Sequence, residues 1–337
     1  RADLWLSAGW PVRADRPDCR AFALRVDWEY GALPVELTPH VTQDADHVVV
    51  HSEHVRSVVA AAGRPPAGIE VVPHGVDEAM RAEAPPDPDI VRWKAGRPAV
   101  LFCGGMVWRK GFDVFLRTVL AAHAAGREIV VVVKAVGHDR HYGRNNLRAL
   151  LERVVRTPGT PPVLVVEREL TRSQLASLYR ACDVMLHPYR GEGFCLPVLE
   201  ARAVGLPVLA TAGGATEAFL NGPGATRIPS TRRAIELPGA HVGQPWVLEP
   251  DADAAVRLLM AALADLPALA VSARRAVAAV RSTFSWDAAA ARLEALAQRT
   301  VGGDVAAAVA VPLPLPPARP SPDQLPAVRK PAKTSVR

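Results

Sequence analysis

The sequence predicts an α/β protein made of two doubly wound domains, the first of them incomplete. Three observations carry this reading. From Ala99 onward, apolar runs of about five residues alternate with amphipathic helical stretches, the pattern of a parallel sheet covered on both faces. Upstream, HVVV at 47–50 and IEVV at 69–72 flank a stretch with helical spacing that runs from Ser52 to a stop at Gly63, a strand, helix, strand unit. Finally, 337 residues with 49% hydrophobic composition suffice for two ordinary cores and make an unusually large single one.

The elements follow in order. After PHGVD at 73–77 comes EAMRAEAPPDPDIVRWKAGRP, rich in proline and charge and therefore a passage between domains. It divides the chain into a first domain at 1–80 and a second at 81–301. The second reads as strand AVLFCGG, helix 111–125, strand EIVVVVKAVG, a helix around NNLRALLERVV, strand PVLVVER and helix SQLASLYRAC. Strand DVMLHP, a glycine-rich loop, helix PVLEARAV, strand LPVLAT and a helix opening at Thr216 complete the alternation. Residues 222–247 read as loop. Two helices, DADAAVRLLMAAL and ALAVSARRAVAAVRSTF, precede a last amphipathic helix at 285–299. Residues 302–337 are dense in proline and lack apolar periodicity, so a disordered tail is expected.

Charge and composition exclude several classes. The formal net charge of +6 comes from 40 basic and 34 acidic residues spread along the chain, which suits an anionic ligand or peripheral contact with a membrane surface. Nucleic-acid binding is not expected, because no RNA-recognition aromatic pattern, zinc finger or basic heptad region occurs. Cys19, Cys103, Cys182 and Cys195 form no CxxC pair, which argues against a zinc site or a disulfide framework and for a reducing, cytoplasmic setting. No apolar run is long enough to cross a bilayer. The chain opens on Arg1 and reads as part of something longer. Three Asp-x-Asp pairs, at 44 and 46, 87 and 89, and 251 and 253, lack further oxygen ligands nearby, so no metal site is expected. His74 in PHGVD reads as a loop-bracing residue.

The strongest chemical signal is GEGFCLPVLEARAVGLPVLATAGG at 191–214. Pro197 suits the first turn of a helix and Gly205 its left-handed end. Gly191 and Gly193 precede that helix, whose free amides and positive dipole end can receive an anion. Glu192 and Glu200, with seven residues between them, can both face the crevice at the carboxyl ends of the strands. A carboxylate accepts hydroxyl hydrogen bonds in pairs, so one can hold a sugar and the other a ribose. The plainer account makes Glu192 a solvated loop charge and Glu200 a helix-end carboxylate, but it leaves the surrounding glycines and proline unexplained.

This segment resembles family 4 glycosyltransferases, whose second domain carries a glutamate pair in a stretch like EGFGLPVLEAMACGLPVV. Here Cys195 stands in place of the usual glycine. FCGGMVWRKGFDVFLRTV at 102–119 is similar to the family's strand, basic loop and helix, and VVPHGVD at 71–77 to its domain-closing segment. WEYGALP at 28–34 followed by SEHVRSVV looks like one subgroup. The likeness covers about residues 20–300 and implies a GT-B fold of two Rossmann-like domains.

By resemblance, the donor site comprises Gly104, Gly105, Lys110, Glu192, Gly193, Phe194, Cys195, Leu196 and Glu200. Glu192, Lys110 and Arg109 carry the catalysis. Lys110 would offset charge on the departing diphosphate; a cation at a helix start is otherwise unfavourable. Arg109 takes the place of an arginine that the family often has where this chain has Gly105. Lys134, Arg168, Glu169 and Leu170 correspond to the base-binding segments. The family histidine that faces the donor sugar has no counterpart in the ALRVDWEYG stretch, where Trp28 and Glu29 stand instead. The implied reaction is a metal-independent, cofactor-free transfer of a hexose with retained configuration, from a nucleotide-diphosphate sugar to a glycan, lipid or small-molecule hydroxyl. A nucleotide-sugar epimerase of the same architecture, or a donor-binding fragment without transfer activity, are the alternatives.

Overall fold

The computed structural model describes residues 2–9, 12, 16–135 and 147–301. The expected tail at 302–337 and the start of the NNLRALLERVV helix lie outside them. The first half is a parallel sheet of β1 (Ala2–Ser7), β2 (Cys19–Arg25), β3 (His47–Val50) and β4 (Ile69–Val71), in that order. Helix α1 (Glu53–Ala61) joins β3 to β4, its start capped by Ser52, whose hydroxyl accepts the Val55 amide at 3.3 Å. The sequence reading found β3, α1 and β4 but not β1 or β2. CRAFALR lacks β-branched residues and, in β2, is buried at five of seven positions rather than alternating with solvent.

The passage read as a linker contains two short helices, α2 (Glu78–Arg81) and α3 (Pro88–Lys94), each started by an aspartate cap, Asp77 and Asp87. The second sheet contains β5 (Ala99–Gly104), β6 (Val130–Ala135), β7 (Val163–Val166), β8 (Val184–His187), β9 (Val208–Thr211) and β10 (Ala225–Ile228). Its connecting helices are α4 (Phe112–Ala124), α5 (Arg148–Arg156), α6 (Arg172–Ala181) and α7 (Leu196–Ala203). All six strands are parallel, in the spatial order β10, β9, β8, β5, β6, β7. Along β5, Val100 and Phe102 enter one core with Phe112, Phe115 and Leu116, while Ala99, Leu101 and Cys103 enter the other with Leu178, Val198 and Leu199. Two-residue alternation with both faces buried explains the unbroken apolar runs.

The chain runs outward through β5, β6 and β7, then returns to β8 and runs the other way. The loops after β5 and β8 therefore diverge at the switch point, where an open sheet of this kind forms its ligand crevice. Residues 215–219 form turns instead of the helix expected at Thr216. The Thr216 amide and hydroxyl are held by the Tyr189 hydroxyl, at 3.4 and 2.9 Å, and Gly222 and Gly224 bend the backbone soon after. Residues 222–247, expected as loop, contribute β10 and β11 (Ser230–Ala234). β11 pairs antiparallel with β12 (Trp246–Pro250).

Helices α8 (Ala252–Ala264) and α9 (Leu266–Thr283) cover the second half. No single helix among the described residues is long and apolar enough to cross a membrane; these two meet that mark only as a pair bent by 97°. The last helix, α10 (Trp286–Val301), was assigned from sequence to the second domain, yet Ala289 and Leu296 pack with Ala23, Val49 and Val72 on the first sheet.

Arg190, just before the glycine loop, holds the second half together locally. Its buried guanidinium bonds Asp113 at 2.7 and 2.9 Å, Glu249 at 2.7 Å and the Trp108 carbonyl at 2.8 Å. It also lies 4.5 Å over the Trp108 ring. Replacing it leaves Asp113 without this cation and Glu249 with Arg233 alone, so Arg190→Met is expected to cost about 3 kcal/mol in urea unfolding.

Candidate active site

A cavity of about 300 Å³ lies between the halves. The first half lines it with Asp27, Trp28, Glu29, His51 and His74, and the second with Lys110 and residues 192–197. A larger cavity, about 400 Å³, includes Asp183 and Pro207, which precede β8 and β9. It thus lies at the amino ends of the strands, away from Lys110 and Glu192.

The loops after β5 and β8 meet with little clearance. Gly104, at φ +151°, leaves room for the lysine stem: a Cβ there would stand 3.2 Å from Lys110 Cδ. Gly111, at φ +69°, ends the 3-10 turn at Trp108–Lys110, and a Cβ on it would overlap the Pro188 carbonyl oxygen at 1.7 Å. This turn presents Lys110 and Arg109 to Glu192. Lys110 Nζ donates to Glu192 Oε1 at 2.5 Å; Arg109 Nη1 lies 3.8 Å from Oε2 and donates to the Gly191 carbonyl at 2.7 Å. Gly105 is buried beneath, its carbonyl accepting the Val107 amide at 2.8 Å.

Glu192 is buried, which alone would raise its pKa. The Lys110 charge, the His187 hydrogen bond and the Arg109 charge outweigh that penalty and hold the carboxyl well below the usual range. For Lys110, burial is likewise outweighed, here by the Glu192 charge, and its pKa is raised. His187 follows the opposite course: burial lowers its pKa, so its neutral ring offers Nε2–H to Glu192 at 3.4 Å. The sequence reading did not select His187, although it ends β8.

Helix α7 begins where that reading placed it, with Pro197 in the first turn and Gly205 left-handed, at φ +80°, past its end. The N-cap is Cys195, itself left-handed at φ +74°. The position that departs from the family's glycine is thus the one whose backbone favours glycine. Phe194 packs at the cavity wall beside His74, with ring centroids 5.1 Å apart.

Other expected residues lie apart from this cavity. Glu200 is the fifth residue of α7. The Tyr179 hydroxyl donates to it at 2.8 Å and Arg172 lies 3.4 Å away; burial raises its pKa. Lys134 is buried on β6, where Nζ donates to the Ala135 carbonyl at 2.8 Å, and burial lowers its pKa. Arg168 and Glu169 are exposed after β7, while Leu170 packs against the core.

His74 is more than a loop brace. Its ring lies tilted against that of His51, centroids 3.7 Å apart, and lines the cavity, and burial together with the neighbouring His51 lowers its pKa to about 4. His51 Nδ1 bonds the Val72 carbonyl at 2.7 Å and Nε2 faces Asp27 at 3.1 Å. For Asp27, burial opposes ionisation, but His51 and Arg25 hold its pKa below the ordinary value. Asp27, His51 and His74 follow β2, β3 and β4, so the strand-end rule that drew attention to Glu192 also leads to them.

Among the described residues, two clusters each bring three metal-binding groups within 4.8 Å: Asp27, His51 and His74, and His187, Glu192 and Cys195. In the first, His51 Nδ1 is engaged by the Val72 carbonyl and the two imidazoles lie tilted against each other. In the second, an ion would have to displace Lys110, and burial holds the thiol protonated. The paired aspartates have other roles. Asp87 and Asp251 cap helices, Asp46 accepts the Phe22 amide, Asp44 bonds His40 and Asp253 pairs with Arg117.

Fold and site define the class: two Rossmann-like layers closing on an ionised carboxylate and a lysine, the GT-B arrangement. Solved structures agree on the fold. A glycosyltransferase from Rickettsia africae superposes with a TM-score of 0.65 at 18% identity, covering 84% of this chain and 71% of that one. Sucrose-phosphate synthase from Thermosynechococcus elongatus gives 0.58 at 23%, covering 79% and 60%. Residues 97–235 match the family model of glycosyl transferases group 1, and the chain belongs to that family. It is 30% identical over 254 residues to the GDP-mannose-dependent alpha-(1-6)-phosphatidylinositol monomannoside mannosyltransferase of Mycolicibacterium smegmatis, covering 68% of this chain and 63% of that protein. A D-inositol 3-phosphate glycosyltransferase from Kineococcus radiotolerans is 29% identical over 257 residues, covering 74% and 56%. The chain thus spans little more than half the length of these curated relatives.

Cys195 gives a direct test of the backbone reading. Cys195→Gly removes left-handed strain but also a buried thiol, and adds unfolded-state freedom, so its net effect should stay within about 1 kcal/mol. Cys195→Val places a β-branched residue in the same conformation and should cost roughly 2 kcal/mol or more. Chemical denaturation of both variants checks the contrast.

Proposed function

We propose that this chain is the greater part of a retaining, metal-independent hexosyltransferase. It takes a sugar from a nucleotide-diphosphate donor to an acceptor hydroxyl on a glycan, a lipid or a small molecule. The observation that carries the reading is the buried, ionised Glu192 with Lys110 and Arg109 beside it, at the start of α7 and in a cavity that both halves line. The names of the curated relatives, one dependent on GDP-mannose and one acting on inositol 3-phosphate, support a hexose donor and a polyol-type acceptor. A cytoplasmic setting with peripheral membrane contact fits the basic charge and an acceptor of lipid type.

In this reading the donor diphosphate enters beside Lys110 and Arg109. Lys110 uses one of its three N–H donors on Glu192 and can give the others to phosphate oxygens, stabilising charge as it develops. Glu192 is held ionised and accepts hydrogen bonds from the sugar hydroxyls. The bond from the anomeric carbon to the phosphate oxygen breaks while the acceptor oxygen bonds on the same face, and the acceptor proton passes to the departing phosphate. No protein nucleophile is needed. The cations and amides of this site supply the stabilisation that a metal would otherwise give.

Titration calorimetry with UDP and GDP should therefore give the same affinity with and without EDTA; loss on chelation, restored by magnesium or manganese, would sink the metal-free reading. Glu192→Gln should weaken binding of UDP-glucose or GDP-mannose and leave the bare diphosphates nearly unaffected. Lys110→Met should weaken both kinds of ligand by about 1.5 to 3 kcal/mol. It should also lower the melting temperature, because it leaves the Glu192 carboxylate buried without its nearest cation. Equal losses of bare and sugar-bearing nucleotide in Glu192→Gln would place the sugar elsewhere.

A further inference from the structure

We propose that the arm formed by β11, β12 and residues 235–245 positions the cleft-lining loop at 27–35, with Trp246 as the positioning residue. The inference rests on the donor-site reading above.

At its root the arm is tied to the loop that follows β8. Leu248 N donates to the Arg190 carbonyl at 2.9 Å, and Glu249 pairs with both Arg190 and Arg233. The arm then leaves the second half and reaches the first. Gly31 N donates to the Trp246 carbonyl at 2.8 Å, Val35 N to the Ala240 carbonyl at 2.9 Å, and Val242 N to the Leu33 carbonyl at 2.8 Å. Pro34 and His241 form an isolated antiparallel bridge. A loop in one half thus gains a partner strand from the other.

Trp246 closes this junction. Its indole lies flat against Gly31, where a Cβ would sit 1.9 Å from Cε2. The His54 ring meets it edge-on at 5.6 Å, and the Arg232 guanidinium lies 4.2 Å over it. Burial and the Arg232 charge lower the His54 pKa to about 4, which keeps that ring neutral beside the guanidinium. The loop held in this way presents Asp27, Trp28 and Glu29 to the cavity, and Glu29 reaches Arg109 at 3.1 Å. On the far side the Trp28 and Glu29 carbonyls press on Gly193 and Gly191, where a Cβ would come within 3.1 and 2.6 Å.

The loop meets the second half at Arg109, Gly191 and Gly193, while Lys110 and the α7 amides are placed by the second half alone. Loosening the loop should therefore weaken binding of the sugar-bearing donor more than that of the bare diphosphate, which keeps Lys110 and those amides. Trp246→Ala and Gly31→Ala, which attack the junction from opposite sides, are the test, with Trp246→Phe as the conservative rescue.

In each alanine variant, calorimetry should give UDP and GDP affinities within roughly twofold of the parent, while UDP-glucose or GDP-mannose binds roughly tenfold more weakly. The Gly31 and Val35 amides should exchange roughly tenfold faster or more, since their acceptors lie on the arm. The two substitutions together should do no more than either alone, because they break one junction. Trp246→Phe should restore most of the affinity. Unchanged exchange at Gly31 and Val35, or equal losses of bare and sugar-bearing nucleotide, would overturn the proposal. A parent that binds neither UDP nor GDP would instead refute the donor-site reading, and the exchange measurement would still decide whether the arm holds the loop.

Discussion

The Lys110 ammonium and the Glu192 carboxylate meet at 2.5 Å in a place almost closed to water, and much of the surrounding backbone is arranged to let them meet. A buried carboxylate without a cation is costly, so the pair is a strict geometric demand. Satisfying it brings the loops after β5 and β8 together at the switch point. Gly104 gives the lysine stem its space, and Gly111 lets one loop pass over the Pro188 carbonyl of the other. Arg190 then locks the crossed loops to α4 and β12. Even the left-handed Cys195 belongs to this arrangement, because it turns the chain into α7 immediately after the carboxylate.

The two glutamates of the motif show how far environment separates identical groups. Both are buried and burial pushes both toward the neutral form, yet their pKa values move in opposite directions. Glu192 has Lys110 at hydrogen-bond distance, with Arg109 and His187 beyond. Glu200 has a neutral tyrosine and a half-solvated Arg172 at 3.4 Å, too weak a charge to offset desolvation. The first is suited to accepting hydrogen bonds as a permanent anion. The second is held by the Tyr179 hydroxyl, with burial favouring its neutral form.

The second sheet was legible in the sequence because its strands are buried on both faces and read as unbroken runs such as VVVV at 130–133. β1 and β2 were not, since ADLWLS and CRAFALR carry small or bulky residues whose strand state depends on their neighbours. The arm was missed for a related reason. LPGAHVGQP at 237–245 has no period of its own, and its shape is set by Gly31, Leu33 and Val35 more than two hundred positions earlier. At the site, Glu192, Lys110 and the loop from Gly193 to Leu196 were found because they lie close together in two motifs. Asp27, His51 and His74 escaped because only the sheet joins positions so far apart. Arg168 and Glu169 were assigned by position alone, and both lie exposed outside the described cavity.

The packing of α10 on the first sheet has a consequence for how the molecule is made. The face of that sheet formed by Ala23, Val49 and Val72 packs against Ala289, Leu293 and Leu296 of α10. A ribosome therefore delivers the first layer long before the helix that shields it. During synthesis the intervening second half can close around its own two cores, while the earlier strands wait with an apolar face open to chaperones or to wrong partners. Order of synthesis and order of completion run in opposite directions, and the last described helix completes the first described sheet.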